Sequence, residues 1–234
     1  MRKTPTQFNI ISLFPEAFTS YFDISLMKRA VAKGFIKVVL VGLRRFGLGA
    51  RQTVDDRPYG GGAGMLLRVD VIHKALKKLR LKRGQKGKTI ALLTPQGKPF
   101  DQAMALKLSK SKTITLICGR YEGFDERVRD LVDIEISLGD FVMTGGEIPA
   151  LAVVDCVSRL VPGVVGKEES VEKESFAEPL LEYPQYTRPE KYLGQRVPKV
   201  LLSGDHRKVD EWRHSQAVRR TKKRRPDLLK HAKI

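Results

Sequence analysis

Residues 113–123 read Thr-Ile-Thr-Leu-Ile-Cys-Gly-Arg-Tyr-Glu-Gly. The first six are β-branched or apolar, which is typical of a strand buried on both faces of a sheet. The last five place a cation, an aromatic ring and a carboxylate between Gly119 and Gly123, directly after the predicted strand. In parallel α/β sheets, ligands bind at loops beyond the carboxyl ends of the strands. The segment therefore predicts a ligand-binding loop, with a solvated surface turn as the alternative.

The same alternation extends outward in both directions. Short β-branched runs alternate with helix-like stretches from Phe8 to about Leu160, including a helix predicted over 15–33. Two more loops rich in turn residues follow predicted strands, at 94–97 and 139–147. This pattern predicts an α/β fold with a largely parallel sheet covered by helices on both faces.

Composition limits the class of protein. The chain has 234 residues, 41% hydrophobic and 30% charged, and lacks an apolar run of the length needed to span a membrane. Collagen-like, disordered and transmembrane classes are excluded. The apolar run after the N-terminus is too short for a signal peptide, so we expect a cytoplasmic protein with no membrane association.

Charge predicts the partner. The formal net charge is +18, and residues 188–234 hold 15 Lys or Arg against 5 Asp or Glu. The densest cluster lies at 219–225. Such an excess indicates binding to a polyanion, with nucleic acid as the first candidate. We divide the chain into a domain at 1–165, a charged linker at 166–182 that lacks an apolar face, and a basic, mostly helical domain at 183–234.

Several motifs argue against other chemistries. The glycine-rich run at 60–64 lacks the Gly-Lys-Ser/Thr ending of a P-loop and fails the GxGxxG spacing, so nucleotide triphosphate binding is disfavoured. It is consistent with either a flexible loop or close approach to a ligand or nucleic acid. Cys118 and Cys156 have no ligand-like spacing, nor do the four histidines. We assign no metal to the protein itself.

Taken together, the motifs resemble one family, the bacterial tRNA (guanine-N1)-methyltransferases of the SPOUT superfamily. The resemblance runs nearly end to end. Its matching segments are 11–15, 53–62, 118–123, 125–128, 138–140, 145–147, Arg159, 162–164, 186–189 and 200–204.

The resemblance implies methyl transfer from S-adenosylmethionine to N1 of guanosine 37, just 3′ of the tRNA anticodon, a modification that supports reading-frame maintenance. It implies a sheet whose C-terminal part forms a trefoil knot, followed by a small helical domain that grips tRNA. It also implies a homodimer with the active site at the subunit interface, and suggests Mg²⁺ as a further requirement. The implied cofactor-binding residues are Thr94, Pro95, Gly119, Tyr121, Glu122, Leu138, Gly139, Gly145, Gly146 and Pro149.

Two catalytic residues follow from the resemblance. N1 of guanine carries a proton at neutral pH, so a base must remove it while a donor stabilises charge on O6. The family uses a linker aspartate as base, where this chain has Glu174, and an arginine that matches Arg159. Glu178 is the alternative base. An arginine at a helix C-terminus can also merely complement the helix dipole.

Two other functions remain open at this point. A different SPOUT enzyme, such as a ribose 2′-O-methyltransferase, would not need a carboxylate for guanine N1. A non-catalytic RNA-binding protein would fit the charge but would not bind the cofactor.

Overall fold

The computed structural model describes residues 4–166 and 174–231. The chain divides into two compact units, Met1–Gly166 and Lys167–Ile234. The part of the expected linker at 167–173 lies outside the described residues. The strands of the first unit are β1 (Thr6–Ser12), β2 (Ile36–Gly42), β3 (Asp55–Asp56), β4 (Leu66–Leu67), β5 (Lys88–Pro99), β6 (Thr113–Cys118) and β7 (Ile134–Ser137). Its α-helices are α1 (Thr19–Phe22), α2 (Ser25–Ala32), α3 (Val69–Lys78), α4 (Gln102–Ser109) and α5 (Glu147–Arg159).

Five strands form one sheet in the order β2-β1-β6-β5-β7, and every neighbouring pair is parallel. The apolar strand β6 lies at the centre. Its Thr113 pairs with Gln7 of β1 and with Lys88 of β5. The predicted parallel α/β sheet is therefore confirmed.

Alternate residues of the central strands enter two separate cores. In β5, Ala91 and Leu93 pack with α4 and α5, while Ile90 and Leu92 pack with α3. All four are at most 4% exposed. Because successive side chains of a strand point to opposite faces, the sheet is covered on both sides and its loops are left to carry polar groups.

The single helix predicted over 15–33 is wrong. The segment forms a 3₁₀ turn at Pro15–Phe18, then α1, and then α2 after an extended Ile24. Phe18 and Met27 are both buried. In a continuous helix, residues nine apart point in directions that differ by about 180°, so only a break lets both side chains reach the sheet.

The predicted loop at 94–97 interrupts the pairing of one long strand. Both Leu93 and Lys98 face Ile136 of β7, so the residues between them bulge out of the ladder. At Gly97 the chain passes close to β7, because an added Cβ would lie 2.5 Å from Ile136 N and 2.6 Å from Glu135 C.

The second unit contains one long helix, α6 (His206–Arg224), with the short strands β8 (Lys191–Tyr192) and β9 (Gln195–Arg196). Residues near the start of the second unit pack on α6. Leu181 N donates to Thr221 Oγ1 at 2.8 Å, and Arg220 Nη1 donates to Glu182 O at 3.0 Å. These contacts tie residues 181–182, at the end of the expected linker, to the helical unit.

Replacing Gly97 by alanine should destabilise the first unit. The added methyl group meets backbone atoms that cannot rotate away, and overpacking of this kind costs about 1–3 kcal/mol. We expect the free energy of unfolding, from urea titration followed by circular dichroism, to fall by about 2 kcal/mol. The matched control is Gly166→Ala, where no atom lies within 4 Å of the added Cβ. Equal stability of the two variants would contradict the close crossing.

Candidate active site

A cleft of about 300 Å³ lies at the carboxyl ends of β5, β6 and β7. Its walls come from the bulge of β5, the loop after β6, the loop after β7 and the first turn of α5. All ten residues expected to bind the cofactor line it, namely Thr94, Pro95, Gly119, Tyr121, Glu122, Leu138, Gly139, Gly145, Gly146 and Pro149. Segments far apart in the sequence thus meet in one place, at the sheet edge where α/β proteins bind ligands.

The cleft combines apolar walls with a few polar groups. Leu138, Phe141 and Pro149 supply apolar surface, and the carboxylate of Glu122 lies on the opposite loop. This is the general composition of a small-molecule site, in which apolar contacts give affinity and sparse polar groups orient the ligand. Tyr121 has a positive φ of 58°, an unusual conformation for a residue with a side chain.

Arg120 is held in the cleft wall from several sides. Its Nη2 lies 3.0 Å from Glu147 Oε2, and its Nη1 donates to Thr144 O at 3.2 Å. Its guanidinium lies 4.7 Å from the centroid of the Phe14 ring. Glu147 is only 5% exposed, and its second oxygen accepts a 2.7 Å hydrogen bond from Ser12 Oγ. The ion pair therefore joins the ends of β1 and β6 to the start of α5.

The two glycines before α5 are required by packing. A Cβ at Gly145 would lie 2.4 Å from Arg120 Nε, and one at Gly146 would lie 2.6 Å from Cys118 Cα. Gly146 N also donates to Gly119 O at 2.9 Å, so this amide is already engaged within the protein. The pair therefore lets α5 begin directly against the end of β6.

The glycine-rich run lies beside the cleft. Gly60, Gly61, Gly62 and Gly64 all have positive φ, which glycine alone adopts at little cost. A Cβ at Gly64 would lie 2.4 Å from Glu122 Cγ. The run therefore packs against the cleft wall at Gly64, whereas an added Cβ at Gly60 or Gly61 would have no atom within 4 Å.

Burial makes Cys118 a poor nucleophile. Its side chain is fully buried, and burial, followed by the charge of Glu147, raises the pKa of its thiol well above the ordinary value. Cys156 is half-buried, and burial followed by the charge of Asp155 raises its thiol pKa as well. The thiolate is the reactive form, so both cysteines are suited to packing rather than to catalysis.

Arg159 lies at the opposite end of α5 from the cleft. The helix begins at the cleft with Glu147 and ends at Arg159, and Pro149, ten residues earlier, lines the cleft. Ten residues of α-helix span about 15 Å. That separation exceeds the reach of an arginine side chain, so Arg159 does not enter the cleft of its own chain.

Glu174 lies in a different cavity, within the second unit. This cavity, of about 270 Å³, is lined by three glutamates, Glu174, Glu178 and Glu182, together with Asp210 and His214 on α6. Glu174 is half-buried and Glu178 is exposed. The structure thus brings the expected base and its alternative together.

Within 4–166 and 174–231, no group of three or more His, Cys, Asp or Glu side chains is placed to hold a metal ion. None of the helices in those ranges is both long and apolar enough to cross a membrane.

A parallel α/β domain with a ligand cleft at the carboxyl ends of adjacent strands, joined to a basic helical unit, defines the general class of this protein. The particular family is tRNA (Guanine-1)-methyltransferase TrmD, whose sequence pattern matches residues 6–231. The chain belongs to this family.

Relatives agree with this assignment. A tRNA (guanine-N(1)-)-methyltransferase of Desulforudis audaxviator (strain MP104C) is 54% identical over 226 residues, covering 97% of this chain and 90% of that protein. The protein of that name from Clostridioides difficile (strain 630) is 51% identical, covering 96% of this chain and 97% of its own. One from Dictyoglomus turgidum (strain DSM 6724 / Z-1310) is 46% identical, covering 97% and 91%.

Sequence reasoning missed the network around Arg120. Ser12 and Glu147 are separated by 135 positions, and a buried serine gives no local signal of its partner. A second omission is the ion pairing of Arg129 with Glu126 and Glu135, which closes the rim of the cleft together with Gln96.

Glu147→Gln should lower the free energy of unfolding, because it removes one charge of the buried ion pair. The change keeps the shape of the side chain but leaves Arg120, a quarter exposed, without its counter-charge. Removing one partner of a buried pair costs about 3–5 kcal/mol, and we expect about 3 kcal/mol by urea titration. Glu16→Gln, at an exposed glutamate, is the matched control and should change stability by less than about 0.5 kcal/mol. A similar small effect at both positions would refute the role given to Glu147.

Proposed function

We propose that this protein methylates N1 of guanosine 37 in tRNA, with S-adenosylmethionine as the donor, in the cytoplasm. The observation that carries the proposal is the match of nearly the whole chain to one family, combined with a cleft that gathers all ten expected cofactor residues. The basic second unit adds the positive charge that tRNA phosphates require.

The cleft fits the proposed cofactor. Its apolar walls suit an adenine ring, and the carboxylate of Glu122 suits a cationic group such as a sulfonium. Gly119, Gly139 and Gly145 line the cleft and let Phe124, Phe141 and Arg120 pack close to the backbone of its walls. The cofactor would supply a methyl group that is already activated, so the protein needs mainly to align the acceptor.

The remaining chemistry falls to the chain's own residues. Glu174 would accept the proton from guanine N1, freeing the lone pair for methyl transfer. Arg159 would donate hydrogen bonds to O6 as negative charge develops there. Glu178 borders the same cavity as Glu174 and is the alternative base.

A homodimer with a shared site accounts for the position of Arg159. Because this residue lies about 15 Å along α5 from the cleft, it would act on the target guanine bound at the cleft of the other subunit. Apolar side chains near the cleft support association, since Val142 is 86% exposed and Ile148 is 65% exposed in the single chain.

Our proposal includes a trefoil knot in the backbone of the first unit. Its support is the pair of close backbone crossings at Gly97 and Gly146, where the β5 bulge passes β7 and α5 begins against β6. Threaded chains are rare exceptions to the usual topology rules.

Methylation of matched tRNA transcripts tests the function directly. A transcript with guanosine 37 should accept one methyl group at N1, located by nuclease digestion and mass spectrometry, and a transcript with adenosine 37 should accept none. The assay is run with Mg²⁺ and with a chelator to test the ion requirement. Full transfer to the adenosine transcript, or methyl groups found only on ribose, would overturn the proposal.

Subunit mixing tests whether the site is shared. Glu174→Gln should slow single-turnover methyl transfer by about 100-fold or more without altering cofactor affinity, as expected for loss of a general base. Thr94→Tyr should fill the cleft and abolish cofactor binding. Neither variant alone should be active. After random exchange between equal amounts, a twofold dimer with shared sites should have about a quarter of its sites intact.

The control is a mixture of each variant with itself, taken through the same exchange. Subunit exchange is verified with differently tagged chains. If the verified heterodimers remain as inactive as their parents, the base and the cleft belong to the same chain, and the shared-site proposal fails.

A further inference from the structure

A second basic segment lies in the first unit, far in sequence from the basic C-terminal unit. Residues 71–112 contain 12 Lys or Arg and a single carboxylate, that of Asp101. This net charge of +11 is as large as that of the 47 residues at the C-terminus. Because the two segments together exceed the +18 of the whole chain, the remaining residues are slightly acidic. The positive charge is therefore concentrated in two places.

The fold collects these cations on one surface. The helix α3 buries Val71, Ile72, Ala75 and Leu76, so Lys74, Lys77 and Lys78 share its exposed face. The strip continues through the following loop to the amino end of the sheet. Its other exposed members are Arg80, Lys82, Arg83, Lys86, Lys107, Lys110 and Lys112. We call this set, with the three lysines of α3, the amino-edge strip.

Backbone contacts join the part of the strip on α3 and the loop after it to the part at the end of α4. Lys112 N donates to Gly87 O at 2.9 Å, and Lys88 pairs with Thr113 in the sheet. Since α3 and α4 lie on opposite faces of the sheet, cations from both faces converge at the amino ends of β5 and β6.

The amino-edge strip lies outside the salt bridges formed by the described residues. Among residues 4–166 and 174–231, none of the salt bridges involves a member of the amino-edge strip. The contrast with the second unit is clear, because Arg207, Lys208, Arg213 and Arg225 each pair with an acid. Near the strip, the carboxylate of Asp133 instead accepts hydrogen bonds from the backbone of Gly84 and Ile90.

Helix dipoles explain only part of this arrangement. Lys77, Lys78 and Lys107 lie in the last turns of α3 and α4, where cations are favoured. The loop cations at 80–86 have no such benefit, and unpaired like charges repel one another. The phosphates of a bound polyanion would neutralise these charges, and the release of the polyanion's own counterions would favour binding.

We propose that the amino-edge strip binds the phosphate backbone of the substrate tRNA, away from the base that is methylated. The proposal rests on the proposed function for the identity of the RNA. The strip has a continuous route from the cleft, because Leu67 N, just before α3, donates to Gly123 O in the cleft wall at 2.9 Å. From there α3 carries lysines over about 15 Å toward the amino edge, a length that spans several phosphates of an RNA strand.

Charge-removal variants of the full-length protein test this surface. Lys74→Gln, Lys77→Gln and Lys78→Gln are combined in one variant, since lysine and glutamine have similar helix propensity. The matched control combines Lys28→Gln, Lys33→Gln and Lys37→Gln, three exposed lysines of the α2 and β2 region. Both variants lose the same total charge. Fluorescence anisotropy then measures the Kd for labelled tRNA across a range of salt concentrations.

We expect the α3 variant to bind tRNA at least about 10-fold more weakly in about 0.1 M salt, and its salt slope to fall by about 2. The control should stay within about twofold of the parent protein. Single-turnover methylation at saturating protein should be unchanged in both variants, because neither touches the cleft. If the two variants bind alike, the strip is not an RNA surface and the proposal is overturned.

Two further outcomes are distinguishable. If the parent protein binds tRNA but does not methylate it, and the α3 variant still binds more weakly, the proposed function fails while the surface stands. The same variants are also tested on vesicles containing anionic phospholipid. Loss of vesicle binding by the α3 variant with unchanged tRNA affinity would assign the strip to a membrane surface and overturn the proposal.

Discussion

The contact between Gly146 and the end of β6 is the constraint on which the first unit depends. Gly146 N donates to Gly119 O, and a Cβ at 146 has no room beside the backbone of Cys118. Because α5 must start at this point, Glu147 is placed to pair with Arg120 and Pro149 is placed on the cleft wall. One close crossing of two backbones therefore determines the start of the helix, the buried ion pair and the shape of the cleft. It also places Arg159 at the far end of the same helix, outside the cleft.

Both units hold cations against aromatic rings, but beside different cavities. In the first, the cations of the cleft wall are paired with carboxylates and packed against aromatic surface, as Arg120 is between Glu147 and Phe14. Such groups are held in one conformation and suit the orientation of a small ligand. In the second, cations also stack on aromatic rings, as Arg213 does on Tyr183, beside a cavity that contains several carboxylates.

The sequence predicted the strands and the loops that line the cleft well, because both depend on local composition. The apolar run of β6 and the polar loop after it are adjacent in the chain, so their relation needs no knowledge of the fold. The predicted helix at 15–33 failed because its break is imposed by the sheet, which must bury Phe18 and Met27 together. The hydrogen bond from Ser12 to Glu147 could not be predicted from the sequence, since only the parallel topology brings those positions together. The second basic segment was overlooked because the lysines of α3 alternate with the apolar residues that bury its other face.

The uneven charge along the strands has a consequence for how partners meet. Within the described residues, the cations of the amino-edge strip form no salt bridge, whereas Arg120 and Arg129 in the cleft wall pair with acids. Unpaired positive charge therefore gathers toward the amino ends of β5 and β6. A polyanion within the Debye length, about 10 Å at 0.1 M salt, is attracted toward that end before any contact forms. The fold, rather than any single residue, therefore determines which end of the sheet attracts a polyanion first.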